Sequence, residues 1–91
     1  MNNIGIENQV EVYPNPFKDN VHISFVLDKN TDVSIEVYNI LGMKVADLLN
    51  QKLSSGSHTT VWNSGKFDSG VYMVKVKKGG GEVVKRIVKV D

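Results

Sequence analysis

Short runs in which every second residue is apolar recur along the whole chain, and this rhythm decides the fold class. Val21, Ile23, Phe25 and Leu27 alternate with His22, Ser24 and Val26, and Val33, Ile35 and Val37 alternate with Ser34, Glu36 and Tyr38. A β-strand sends successive side chains to opposite faces. Each run therefore turns one face to a core and a more polar one to water. Valine, isoleucine, threonine, phenylalanine and tyrosine dominate these runs, and they suit a pleated, half-buried surface.

The breaks between runs are as regular as the runs. They fall at Pro14-Asn15-Pro16, Asp28 to Asp32, Leu41-Gly42, Ser54-Ser55-Gly56, Asp68-Ser69-Gly70 and Gly79-Gly80-Gly81. Turn signals at roughly 8–12-residue spacing predict about seven short strands, the pattern of a sandwich or barrel. A helix over 40–53 is not expected, because Gly42 interrupts it and Val45 is β-branched. With 91 residues the chain has room for one domain and one thin core. The expected division is a linker remnant or tail over 1–9 and a β-sandwich over 10–91. The expected core comprises Ile23, Phe25, Ile35, Val37, Trp62, Tyr72 and Val74.

Several functions are disfavoured outright. There are no cysteines, so disulfides, thiolate metal sites and cysteine catalysis are excluded. Eleven basic against ten acidic residues leave a formal net charge of +1. That is too weak a field to gather phosphates, and no nucleic-acid partner is expected. Met1 to Gln9 has neither a basic start nor an apolar stretch, so it is not a secretory signal. If the domain is exported, its leader is expected outside this sequence. No apolar run approaches the roughly 20 residues that span a bilayer, so no transmembrane segment is expected.

Each apparent chemical motif has a plainer reading. Asp28, Asn30 and Asp32 have the spacing of the first ligands of a calcium loop, but Val33 stands at the glycine position and Asn39 at the glutamate position. A polar turn is the better account. His22 and His58 lie in different runs with no carboxylate at ligand spacing, and parity places His58 near Trp62 at a core margin. The serines at 54, 55, 57, 64 and 69 lack a nucleophile-elbow context, and Glu36 and Asp47 stand without a partner carboxylate. Gly79-Gly80-Gly81 precedes no helix and reads as a flexible hairpin loop, not a phosphate cradle. Neither a metal, a cofactor nor a catalytic residue is indicated, and the domain is not expected to be an enzyme.

The last run, Glu82 to Val90, is unconventional. One face carries Val84, Arg86, Val88 and Val90, and the other Val83, Lys85, Ile87 and Lys89. Neither face is cleanly polar or apolar. Two accounts stand open: an edge strand guarded by lysines against aggregation, or a basic, apolar strand offered to a partner's sheet.

In order and spacing these motifs resemble the C-terminal sorting domains of the type IX secretion system. Val12-Tyr13-Pro14-Asn15-Pro16-Phe17 is similar to that family's opening signature. Ile23-Ser24-Phe25, then Val37-Tyr38-Asn39-Ile40-Leu41-Gly42, then Gly56, His58 and Trp62 follow in the family's order. Gly70-Val71-Tyr72 and Lys85-Arg86-Ile87-Val88-Lys89 complete it. The resemblance implies a seven-stranded, antiparallel, immunoglobulin-like sandwich behind a larger cargo in the same polypeptide. It implies passage through the periplasm and an outer-membrane translocon, usual removal by a sortase-like peptidase, and a secreted or cell-surface destination. It places partner recognition at Gly70, Tyr72, Lys85, Arg86 and Lys89.

Two rivals remain. Flagellar hook-capping proteins share the Tyr-Pro-Asn-Pro-Phe and Gly-Val-Tyr landmarks, but here Trp62-Asn63-Ser64-Gly65 replaces their fuller Trp-Asp-Gly element. A non-catalytic accessory module that binds carbohydrate would need exposed aromatics, and Trp62 is the one tryptophan.

Overall fold

A computed structural model describes residues 9–91. The proposed tail over 1–9 therefore lies outside the described residues except for Gln9. Seven strands follow one another: β1 (Val10–Tyr13), β2 (Asn20–Leu27), β3 (Thr31–Asn39), β4 (Lys44–Leu53), β5 (Gly56–Asn63), β6 (Gly70–Lys78) and β7 (Gly81–Lys89). They form two antiparallel sheets, β1-β2-β5 and β4-β3-β6-β7. The architecture is the expected immunoglobulin-like sandwich.

The predicted alternation holds in β2, β3 and β6. Val21, Ile23, Phe25 and Leu27 point inward from one sheet, and Val33, Ile35, Val37, Tyr72, Val74 and Val76 from the other. All seven expected core residues are buried. Phe17 and Ile87 join them, Phe17 from the segment between β1 and β2.

β4 departs from the simple rhythm. In many seven-stranded immunoglobulin domains the fourth strand pairs in the sheet of the first two; here β4 pairs with β3. The four residues between Asn39 and Lys44 allow only a hairpin return. Two register shifts interrupt the β3–β4 ladder, so that Val45 and Leu48 each stand as an extra residue against the partner strand. These bulges bend the strand and reset which side chains face inward.

The β6–β7 connection is tighter than expected. Lys78 pairs with Gly81, leaving Gly79 and Gly80 as a two-residue turn, and Gly79 N–H donates to the Asp32 carbonyl at 3.2 Å. The flexible loop read from the triple glycine is thus a short hairpin, with Gly81 already in the strand. The 28–32 segment is also a working turn: Asn30 Oδ1 accepts from the Ser55 N–H at 3.2 Å.

Candidate functional site

β7 lies at the edge of the four-stranded sheet, hydrogen-bonded to β6 alone among the described strands. The five residues expected at the recognition site all fall on this β6–β7 ribbon. Gly70 pairs with Lys89, Tyr72 with Ile87, Met73 with Arg86 and Val74 with Lys85. The structure gathers the five but does not turn them all outward.

Lys89 was expected to be presented on the terminal edge. It is buried, at 7% exposure. Its Nζ donates to the Ser64 and Phe67 carbonyls, each at 2.6 Å. Parity puts Lys89 on the Ile87 face, where the ammonium needs acceptors, and the 64–67 turn supplies them. Tyr72 is buried too, and its hydroxyl donates to the Asp68 carbonyl at 2.6 Å. Burial, aided by the charge of Asp68, holds the phenol above the ordinary tyrosine range. Gly70, two residues ahead of Tyr72, has φ +149°, a conformation side-chain-bearing residues rarely adopt. Arg86 is exposed and Lys85 half-buried.

The outer side of β7 is partly covered. Asn15 donates from Nδ2 to the Arg86 carbonyl at 3.1 Å and accepts the Val88 N–H at 3.0 Å. Phe17 continues the cover: its N–H donates to the Val88 carbonyl at 2.9 Å, and its carbonyl accepts the Val90 N–H at 2.8 Å. These bonds show that Arg86, Val88 and Val90 aim their outer backbone groups away from β6. By antiparallel alternation Val84 and Glu82 aim theirs the same way. Among the described residues nothing takes the backbone groups of Glu82 and Val84 or the Arg86 N–H. The accessible edge is therefore Glu82 to Arg86, not the whole strand.

Beside that free stretch runs a groove of about 510 Å³ between β1 and β7. Glu11, Tyr13 and Asn15 wall one side, and Lys85, Arg86 and Ile87 the other. Val84, next in the chain to Lys85, is exposed.

Some anchoring residues were not foreseen. Asn15 stands between two prolines, whose nitrogens cannot donate, so its side chain does the bonding. That placement was the available signal. Ser64, fully buried, donates from N and Oγ to the Asp19 carbonyl at 2.7 and 2.8 Å. Lys78 is buried against the Gln9 side chain and the Val26 carbonyl. Nothing local in sequence marked either.

The remaining candidates resolve structurally. Trp62 is buried amid Phe17, Phe67 and Tyr72, with ring centroids 5.3–5.9 Å away. It offers no face to a sugar. His58 stacks on Phe25 at 5.6 Å, not near the indole, and Ser54 O lies 2.7 Å from its Nε2. Phe25 is its direct partner across the β2–β5 ladder. Among the described residues no group of three His, Cys, Asp or Glu side chains gathers, and no helix is long and apolar enough to cross a membrane.

A model of the secretion system C-terminal sorting domain matches residues 11–90. The chain belongs to this family. The sorting domain is the signal of type IX secretion, a signal domain rather than a catalytic one, and it marks proteins for the cell surface or for release. The ulvan lyase NLR42 of Nonlabens ulvanivorans is 34% identical over 74 residues. That alignment covers 81% of this chain and 13% of the lyase, so the sorting domain spans a small fraction of the relative it matches.

Proposed function

We propose that this sorting domain addresses a cargo in the same polypeptide to an outer-membrane translocon by strand addition at the free edge of β7. The observation that carries this reading is the outward backbone of Glu82 and Val84 and the Arg86 N–H, untaken among the described residues, beside an open groove. An extended segment of the partner would take these N–H and C=O groups, and alternate side chains would set specificity. Lys85 and Arg86, at the groove wall, would supply polar contacts. Gly70, Tyr72 and Lys89 would act indirectly, by holding the ribbon in shape.

The cargo would lie ahead of β1 and arrive through the periplasm. A sortase-like peptidase would then cut in the segment preceding Val10, releasing the cargo or passing it to the surface. Gln9 is bound to Lys78, at the end of the sandwich opposite Gly70. Cutting there would leave the docked edge undisturbed.

The test places the chain behind a signal peptide and a reporter enzyme in a bacterium with a type IX system, and in the same strain lacking the translocon. Reporter in the medium or on the surface of the first strain, and trapped in the periplasm of the second, is the expected result. Periplasmic retention in both would overturn the reading.

A further inference from the structure

The last strand is written twice. Glu82-Val83-Val84-Lys85 is followed directly by Arg86-Ile87-Val88-Lys89, so each tetrad is a charged residue, two aliphatic residues and a lysine. Four residues is an even step along a strand, and corresponding members therefore share a face. Val83 and Ile87 are both buried, while Val84 is exposed and Val88 half-buried on the other face. A strand added to β7 meets two nearly equivalent registers, because neither backbone nor aliphatic pattern tells the tetrads apart. Glu82 against Arg86 is the one difference in charge, and an exposed charge contact seldom favours one register by more than about fivefold. Something else has to choose.

The fold treats the two tetrads differently. In the first, half-buried Lys85 lines the open groove. In the second, Lys89 is buried, with its Nζ committed to the Ser64 and Phe67 carbonyls. The outer backbone of the second tetrad is taken by a segment running parallel to β7, in which Phe17 bridges Lys89. Two residues earlier, Asn15 continues that pattern with its side chain. A residue in a parallel neighbour donates to the carbonyl before its partner and accepts the N–H after it. The Asn15 amide does the same around Ile87: Nδ2 donates to the Arg86 carbonyl at 3.1 Å, and Oδ1 accepts the Val88 N–H at 3.0 Å. It fills the place of a strand residue. Asn15 is itself exposed, so this bonding and not core packing is what its side chain contributes.

We propose that Asn15 is the register stop for strand addition at β7. By holding the Arg86 carbonyl and the Val88 N–H, it makes Glu82 to Lys85 the tetrad that a partner strand reads. This rests on the strand-addition reading and states which register that addition uses. Without Asn15 the incoming strand gains two more backbone groups and can slide toward Lys89. It then meets Arg86 where Glu82 belongs, and a lysine already engaged by the 64–67 turn.

The test uses the same reporter fusion with Asn15→Ala, and with Asn15→Ala and Val88→Pro combined. The Val88 N–H points to Asn15 and not to β6, so proline removes a donor that the slipped register needs and leaves the β6–β7 ladder intact. Melting temperatures are measured beside export, and the Asn15→Ala domain should melt close to the parent. The expected result is at least a tenfold fall in exported reporter for Asn15→Ala, with periplasmic accumulation, and export restored when Val88→Pro is added. An asparagine that only supported the fold would give the opposite order, since the proline could only add to the damage. Parent-like export of Asn15→Ala beside an exported parent overturns the register stop and leaves the sorting reading standing. A loss that the proline does not repair, or an Asn15→Ala domain that no longer folds, overturns it too. Failure of the parent itself overturns both.

Discussion

Lys89 and Ser64 join the end of the last strand to the turn after β5: the Lys89 Nζ donates to the Ser64 carbonyl at 2.6 Å, and the same carbonyl accepts the Phe67 N–H at 2.8 Å. A lysine that family resemblance offers as a contact residue thus serves as an internal clamp. Lys89→Met keeps the aliphatic stem and removes the charged donor. It should cost about 1.5–3 kcal/mol in urea denaturation, the range for a hydrogen bond to a charged group. Lys85→Met, at a half-buried groove position, should change stability by under about 0.5 kcal/mol. Equal losses for the two would contradict the clamp.

Trp62 is the hub of an aromatic group at this end of the sandwich, touching Phe17, Phe67 and Tyr72. Phe17 also carries the backbone bonds that cover Val88 and Val90. Phe17→Ala should cost about 3–5 kcal/mol, a large share of the total for so small a domain. Hydrogen exchange should show the Val90 amide losing protection in that variant before amides in β2. Uniform loss across the sandwich would mean that Phe17 does not specifically hold the β7 edge.

Gly70 and Gly80 make a controlled pair. Neither has a neighbour within 4 Å of an added Cβ, but Gly70 alone has a positive φ, at +149°. Gly70→Ala should destabilise by about 1–3 kcal/mol through backbone strain, and Gly80→Ala should be near neutral. Thermal melting of the two variants decides it.

Stability at alkaline pH follows from two buried groups of opposite sign. Tyr72 has its folded value raised by burial and then by Asp68. Its contribution is complete below the unfolded tyrosine value and is lost as pH rises through the folded one. Lys78 has its folded value lowered by burial, partly offset by Asp28. Its contribution is present above the unfolded lysine value and is lost as pH falls through the folded one. Tyr72→Phe should therefore remove an alkaline loss of stability, and Lys78→Met an alkaline gain. Urea midpoints measured across the alkaline range report both, and an unchanged pH slope in either variant would contradict the assignment.

The two sheets were legible because β2, β3 and β6 keep strict alternation, so parity alone placed Phe25, Val37 and Val74 inside. β4 was harder to read. Bulges at Val45 and Leu48 convert period two into apolar pairs, Val45-Ala46 and Leu48-Leu49, whose three-residue spacing mimics a helix face. Lys78 went unremarked and Lys89 was misjudged for another reason. Parity put Lys89 on the inward face, but a buried ammonium is stable only where carbonyls converge, and those come from residues far away in sequence. The covered half of β7 was hidden likewise, since Asn15 lies more than seventy residues from its partners.

The free edge of β7 is tested most directly by Val84→Pro. The Val84 N–H faces away from β6, so proline there removes an outward donor and leaves the β6–β7 ladder intact. Export of a reporter fusion would be measured beside the variant's melting temperature. A folded domain whose reporter stays in the periplasm is the predicted result. A folded domain exported as well as the parent would show that no strand is added at that edge.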